Sequence, residues 1–335
     1  MRIEEITTFQ ALEALRPEWS RLWEQCPNAT PFQSPEWLLP WWCHLGGGEL
    51  LVLALRDEGT LVGLAPLFIH EWQGRRQVSP IGVSYSDYHD VLLMPDVARA
   101  GAELILQRLA ELRSRWDVCV LPELRDGPPL LSAAIPNELR AQVTPLEPCP
   151  VLALPATAGE FVAQLSAHHR RNLRRACRLL EKGGRAQIER ANEATRAEFV
   201  NALFRLHGVR WQEQNEPGVL SNPNVQRFHC DVTADFLRRG ILRLYALRRN
   251  GAIDAVLYGF ASGGRFYAYL GGFDPQLEQA SPGTLLTFHA IQEAIREGCR
   301  EYDFLRGAEN YKYMWGARDR RNWRVTLWHA APPEE

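Results

Sequence analysis

The chain has 335 residues, of which 46% are hydrophobic and 23% charged, and its formal net charge at pH 7 is −2. This composition describes an ordinary globular protein with no bulk electrostatic pull toward nucleic acid or membrane, and no run approaches the roughly 20 apolar residues that span a bilayer. The opening MRIEEITTF lacks a basic start and a long apolar run, and the seven cysteines are scattered without a CxxC spacing. The expected setting is therefore the cytoplasm, with reduced thiols. The histidines offer bare neighbours, Cys43-His44 and His229-Cys230, not the three or four convergent ligands of a metal site, so no metal is expected.

In chain order, residues 1 to about 45 read as helical and aromatic, with Leu12, Leu15, Trp19, Leu22 and Trp23 at helical spacing. Ser34 caps and Pro35 starts a second helix. Phe32, Trp37, Trp41 and Trp42 follow as an aromatic core, or as a wall for a sugar or acyl group. Glu49 to Arg56 and Thr60 to His70 form two strands joined at Asp57-Glu58-Gly59, a hairpin signal, and a third strand lies near Gln77 to Val83. The run from Tyr85 to Asp90 is dense in polar and aromatic residues. As a loop it either holds a substrate, with Tyr85, Asp87 and Asp90 as contacts, or only caps and solvates. Val97 to Arg113 is an amphipathic helix and Trp116 to Leu121 a short buried strand. The proline-rich stretch Pro122 to Pro150 marks the boundary between two domains, 1–150 and 151–335.

The second half opens with a strand at Val151 to Leu154. A helix from Phe161 to Lys182 follows, apolar along Phe161, Leu165, Leu173, Ala176 and Leu180. Arg170, Arg171, Arg174, Arg175, Arg178 and Lys182 cover much of the rest. Such a charge run is either a solvated face or an anion site, with Arg170 and Arg174 as candidate contacts. A helix from Glu193 to Gln212 carries His207 and Trp211, which either pack or touch substrate. After a helix at Asn224 to Arg239, Ile241 to Leu247 and Ala252 to Ala261 form a hairpin through Asn250-Gly251. Strand Arg265 to Phe273 ends in Gly271-Gly272, which suits a bulge or a close backbone approach. Ser281-Pro282-Gly283 opens a helix that Gly298 stops. The small-residue turn at its N-terminus suits an anion such as a pyrophosphate. Strand Tyr302 to Leu305 comes next, and Trp323 to His329 is expected to close the same sheet. Each half thus runs hairpin, third strand, helix, strand, the order of a degenerate tandem repeat.

Three stretches carry a family resemblance: Tyr267-Ala268-Tyr269-Leu270-Gly271-Gly272-Phe273-Asp274; Ser281-Pro282-Gly283-Thr284-Leu285-Leu286; and Asp303-Phe304-Leu305-Arg306-Gly307-Ala308-Glu309-Asn310-Tyr311-Lys312 with Trp315. In order and spacing they resemble the acyl-CoA-binding half of GNAT-type N-acyltransferases. Within that superfamily they look like the CelD-like branch of cellulose and exopolysaccharide biosynthesis, akin to the FemABX peptidyltransferases. The common GNAT signature Gln/Arg-x-x-Gly-x-Gly/Ala is replaced by Gln279-Ala280-Ser281-Pro282-Gly283-Thr284.

The resemblance implies a mixed α/β fold of tandem GNAT-like domains, the first degenerate and the second binding the acyl donor. It implies acetyl-CoA or another acyl-CoA as co-substrate, with backbone groups near Leu270, Gly271 and Gly272 facing the thioester and amides around Ser281, Gly283 and Thr284 holding the pyrophosphate. No Ser-His-Asp or Cys-His set is recognisable by spacing, which fits direct attack of an amine on a thioester. Glu309 is the first candidate base and Asp303 the second; Lys312 is a candidate for charge neutralisation and Tyr311 for returning a proton to the thiolate. Lys312 is one of two lysines in an arginine-rich chain, the other being Lys182.

The implied acceptor is a small-molecule or lipid-linked saccharide, in or beside polysaccharide-synthesis machinery, and DNA is not a partner. Two alternatives remain: an aminoacyl-tRNA-dependent FemABX-like transferase, disfavoured by the lack of an evident helical arm, and a non-catalytic partner of a polysaccharide synthase.

Overall fold

A computed structural model gives the fold; it describes residues 1–127, 129–182, 184, 186–212 and 218–329, and of residues 181, 182 and 210–212 the backbone alone. The chain divides into two compact units, Met1–Pro148 with the chain from Arg320 onward, and Cys149–Asp319.

In the first unit the elements are β1 (Arg2–Ile6), α1 (Phe9–Ala14), α2 (Arg16–Gln25), α3 (Pro35–Leu45), β2 (Glu49–Asp57), β3 (Thr60–Trp72), β4 (Arg75–Pro80), β5 (Leu92–Leu93), α4 (Ala98–Glu111), β6 (Val118–Arg125), α5 (Pro129–Ser132) and β7 (Arg140–Pro145). The second unit holds β8 (Cys149–Ala153), α6 (Ala158–Gln164), α7 (Ala167–Lys182), β9 (Ala186–Arg190), α8 (Arg196–Gln212), α9 (Pro223–Arg238), β10 (Leu242–Arg249), β11 (Ala252–Ser262), β12 (Arg265–Phe273), α10 (Pro282–Arg296), β13 (Glu301–Asp303), α11 (Asn310–Tyr313) and β14 (Arg318–Arg320). The last strand, β15 (Asn322–Trp328), returns to the first unit.

The two sheets repeat one plan. In the first, β2, β3 and β4 are consecutive antiparallel neighbours, α4 crosses over, and β6 lies parallel to β4. In the second, β10, β11 and β12 are antiparallel, α10 crosses over, and β13 lies parallel to β12. Each sheet then gains a strand antiparallel to the crossover product: β15 beside β6, and β8 beside β13. The full orders are β1-β2-β3-β4-β6-β15-β7, with β5 on β3, and β14-β8-β13-β12-β11-β10-β9.

Burial follows the strand alternation. Leu51, Leu53 and Leu55 of β2 join Leu67, Ile105, Leu109 and Trp116 in the first core. In the second, Leu173, Ala176 and Leu180 of α7 meet Leu286 and Ile291 of α10 over Phe266 and Tyr302. Phe199, Leu203 and Leu206 of α8 and Phe228, Val232 and Phe236 of α9 are also fully buried.

Three expectations need correction. The N-terminal stretch begins with a strand, whose partner β2 lies about fifty residues away and so leaves no local signal. Trp323 to His329 does not close the second sheet: β15 pairs with β6 and β7 in the first. The expected helix Phe161 to Lys182 is two. Leu165 takes an extended conformation (φ −64°, ψ 141°), and the Ser166 hydroxyl accepts from His169 N at 3.1 Å to start α7 afresh.

Candidate functional site

The second sheet opens between β12 and β13. Their parallel pairing runs only from Arg265↔Glu301 to Tyr267↔Asp303. Beyond it the two chains follow different neighbours. Phe304 N donates to Pro150 O of β8 at 2.9 Å, and Leu305 takes a left-handed conformation, φ +59°. β12 instead keeps its ladder with β11 to Ala255↔Phe273. Among the described residues no strand pairs with β12 on the β13 side beyond Tyr267.

The bulge expected at Gly271-Gly272 lies earlier. Tyr258 pairs with Leu270 and Gly259 with Ala268, so Tyr269 is the extra residue. Gly271 and Gly272 are regular ladder positions opposite Leu257 and Val256. The close backbone approach is real at Gly272, where an added Cβ would come within 2.7 Å of His207 N and 2.9 Å of Leu206 C. Gly272 lets α8 lie directly on β12.

The N-terminus of α10 follows the turn after β12. Ser281 is left-handed (φ +47°, ψ +53°) and makes no side-chain cap; its hydroxyl donates back to Glu278 O at 3.4 Å. Its carbonyl accepts from Thr284 N and Leu285 N. Pro282 has no N–H, so Gly283 is left with the first-turn amide that has no acceptor among the described residues. The departure from the common signature therefore has a structural meaning: proline removes one donor, and Thr284 spends another on its own turn.

The segment after β13 is built on Lys312. Its buried ammonium donates to Leu305 O at 3.0 Å, Arg306 O at 2.7 Å and Gly307 O at 3.0 Å, and lies 2.9 Å from Glu309 Oε2. The Glu309 carboxylate is exposed and packs over Gly307, whose φ of +106° suits glycine. Asp303 is fully buried, and its Oδ1 accepts from Leu305 N at 2.8 Å. That bond holds the turn out of β13. Tyr311 is half exposed, edge-on to Phe304. The four residues thus form one loop, in which Lys312 and Asp303 set the backbone and Glu309 and Tyr311 face solvent.

On the α8–α9 face, the bulge residue Tyr269 belongs to a ring cluster. His229 lies 5.7 Å from both Tyr258 and Tyr269, which are 5.6 Å apart. Burial drives the His229 imidazole down to about 3, with His207 adding to the shift, and pushes the Tyr258 phenol well up. His207 is buried on α8; the Trp211 side chain lies outside the described residues. In the sequence His229 stands out only as the neighbour of Cys230, and Tyr258 reads locally as one more apolar position of a strand.

The other candidates lie as follows. Arg170 donates to Val162 O, Ala163 O and Leu165 O, closing the end of α6. Arg174 lies on the exposed face of α7. In the first unit, Asp90 Oδ2 accepts from Arg125 Nε at 3.0 Å. Its carbonyl accepts from Gln33 Nε2 at 2.6 Å, and the Asp87 carbonyl accepts from Asn322 Nδ2 at 3.1 Å. Burial raises the Asp90 carboxyl, against the pull of Arg125, and burial likewise raises the half-buried Tyr85 phenol. His89 N donates to Glu123 O of β6 at 3.1 Å. The loop Tyr85 to Asp90 therefore lies along β6, where the second sheet has its gap.

Residues 167–313 match the family model described as an acetyltransferase (GNAT) domain. Three solved structures are similar over nearly the whole chain. The crystal structure of FemX covers 97% of this chain and 97% of its own at 11% identity, with a TM-score of 0.66. The C-terminal DUF2156 domain of a putative lysylphosphatidylglycerol synthetase from Agrobacterium fabrum covers 94% and 91% at 11% identity, TM-score 0.62. A conserved protein of unknown function from Bacteroides thetaiotaomicron covers 98% and 99% at 11% identity, TM-score 0.60. No curated protein matches the chain. At such identities the structural likeness speaks to the fold alone: mixed α/β, in two units of one plan. The family match makes the second unit a GNAT-type acyltransferase domain.

Proposed function

We propose that the second unit binds an acyl-CoA along the gap between β12 and β13 and transfers the acyl group, in the first instance acetyl, to an amine or hydroxyl of a polysaccharide or cell-envelope precursor, as in the CelD-like branch. The observation that carries the proposal is the divergence of the two strands after Tyr267 and Asp303. An extended pantetheine arm hydrogen-bonds like a strand, and the edge from Ala268 to Phe273 offers it a partner. The Gly283 amide at the start of α10 suits a donor phosphate. Residues 1–150 are the degenerate half in this scheme, because the chain's own loop lies along the corresponding edge of β6.

In the reaction a neutral acceptor attacks the thioester carbonyl, the carbonyl oxygen gains charge, and the carbon–sulfur bond breaks as the tetrahedral intermediate collapses. Backbone N–H groups around the Tyr269 bulge and Leu270 supply the oxyanion contacts. Glu309 takes the acceptor proton, directly or through water. Tyr311 returns a proton to the thiolate. Asp303 and Lys312 act as positioning residues, since their polar atoms are committed to the loop.

A second reading keeps the fold and replaces acyl-CoA by aminoacyl-tRNA. The loss of the Pro282 donor at the expected pyrophosphate turn favours it. Thiol release from acetyl-CoA in the presence of amino-sugar acceptors separates the two. Acceptor-dependent release supports acyl-CoA; binding of charged tRNA without any response to CoA supports the second.

A further inference from the structure

Several of the chain's arginines are neutralised by carboxylates. Arg56 meets Glu4 and Glu18, Arg108 meets Glu5 and Glu111, and Arg248 meets Glu189 and Glu198. The outer face of α7 breaks this habit. Arg171, Arg174, Arg175 and Arg178 are all exposed, and among the described residues none has an ion-pair partner. The segment Ala167–Leu180 contains no acidic residue.

Two pairs, Arg171 with Arg175 and Arg174 with Arg178, stand at i,i+4, where like charges destabilise a helix. The pattern therefore works against the stability of α7, and arginine-rich composition alone gives no reason to concentrate it there. At 3.6 residues per turn the four side chains fall within an arc of roughly 100°, spread over about 10 Å of helix axis. That arc is centred opposite the buried stripe Leu173, Ala176 and Leu180.

We propose that this face docks the enzyme on an anionic phospholipid surface. Clusters of four or more basic residues on an amphipathic helix suit such a surface, whose negative potential acts within about a Debye length. Arginine forks pair with headgroup phosphates. A nucleic acid is the less fitting polyanion. The exposed positions among the arginines, Asn172 and Cys177, and His168 one turn earlier offer no Phe, Tyr or Trp ring on which bases would stack. Docking goes beyond the acyl-transfer proposal and does not depend on the donor; it would bring the enzyme to a lipid-linked acceptor.

The test is sedimentation of the full chain with vesicles of phosphatidylcholine alone and of phosphatidylcholine mixed with phosphatidylglycerol. Wild type is compared with R171Q/R174Q/R175Q/R178Q, and circular dichroism verifies that the variant folds; R171E/R175E serves if it does not. Wild type binds the anionic vesicles, releases them at high salt, and loses affinity by about a hundredfold or more in the fourfold variant. Equal binding to neutral vesicles, no binding to either, or binding unchanged in a folded variant overturns the proposal. So does tRNA binding that outcompetes the vesicles and is lost in the same variants, which would give the face to RNA. Thiol release from acetyl-CoA is scored separately in vesicle-free buffer, so a failure of docking and a failure of acyl transfer are read on different assays.

Discussion

The Lys312 ammonium lies 2.9 Å from the Glu309 carboxylate while donating to three consecutive backbone carbonyls, those of Leu305, Arg306 and Gly307. A compact ammonium at the end of a flexible stem can meet acceptors that converge on one point; the planar guanidinium of arginine cannot. Lys312→Met therefore leaves three carbonyls short of a donor and destabilises the second unit by about 3 kcal/mol. Lys312→Arg fails to restore it. A denaturant midpoint for Lys312→Arg equal to that of wild type would show that the cage is not what demands lysine.

Glu309 and Asp303 separate by measurement. Glu309→Gln lowers kcat by about a hundredfold or more, as expected on losing a general base, and changes stability by less than about 1 kcal/mol, since its carboxylate is exposed. Asp303→Ala loses the bond from Leu305 N and costs on the order of 1–3 kcal/mol. Rates and melting curves measured on the same preparations would contradict the assignment if the two residues exchanged these effects.

Gly272 is set against the backbone of α8. Gly272→Ala forces that helix away from β12, because the atoms met at 2.7 and 2.9 Å are backbone atoms, and it costs roughly 1–3 kcal/mol. Gly271→Ala meets only Val256 O, at 3.3 Å, and should cost less. Urea unfolding of the two variants gives the ranking.

Buried imidazoles make stability depend on pH. The folded-state pKa of His229 falls to about 3, while an unfolded histidine titrates near 6.5. Between these values the unfolded chain binds the extra proton, so stability is complete above about pH 6.5 and falls as the pH drops toward 3. The loss from this one group is roughly 2 kcal/mol by pH 5. His169 and His289, also lowered by burial, act in the same direction. His229→Phe should flatten the profile between pH 7 and 5; an unchanged slope would remove His229 as its main source.

Local signals in the sequence carried much of the second unit. Asn250-Gly251 marked the β10–β11 turn, and Pro282 and Gly298 bracket α10, with Gly298 at φ +77°. What escaped notice depends on distant partners. The polar density of the loop Tyr85 to Asp90 is legible, but not that Gln33, Arg125 and Asn322 hold it. Lys312 stood out as a rare amine, but its role required the fold that turns three carbonyls inward. The strand at β15 has ordinary alternation, and nothing within it says which sheet it joins. The bulge was misplaced because glycine is the usual marker, whereas here it falls on Tyr269.

The most direct test of the central claim is the thermal stability of the purified chain with free CoA, acetyl-CoA and longer acyl-CoAs. A ligand bound in the gap between β12 and β13, present at about 100 times its Kd, stabilises the protein by roughly 2.7 kcal/mol, a readily visible rise in Tm. A rise with CoA thioesters that is greatest for one acyl length is the predicted result and names the donor. An unchanged Tm with every CoA species would contradict an acyl-CoA donor.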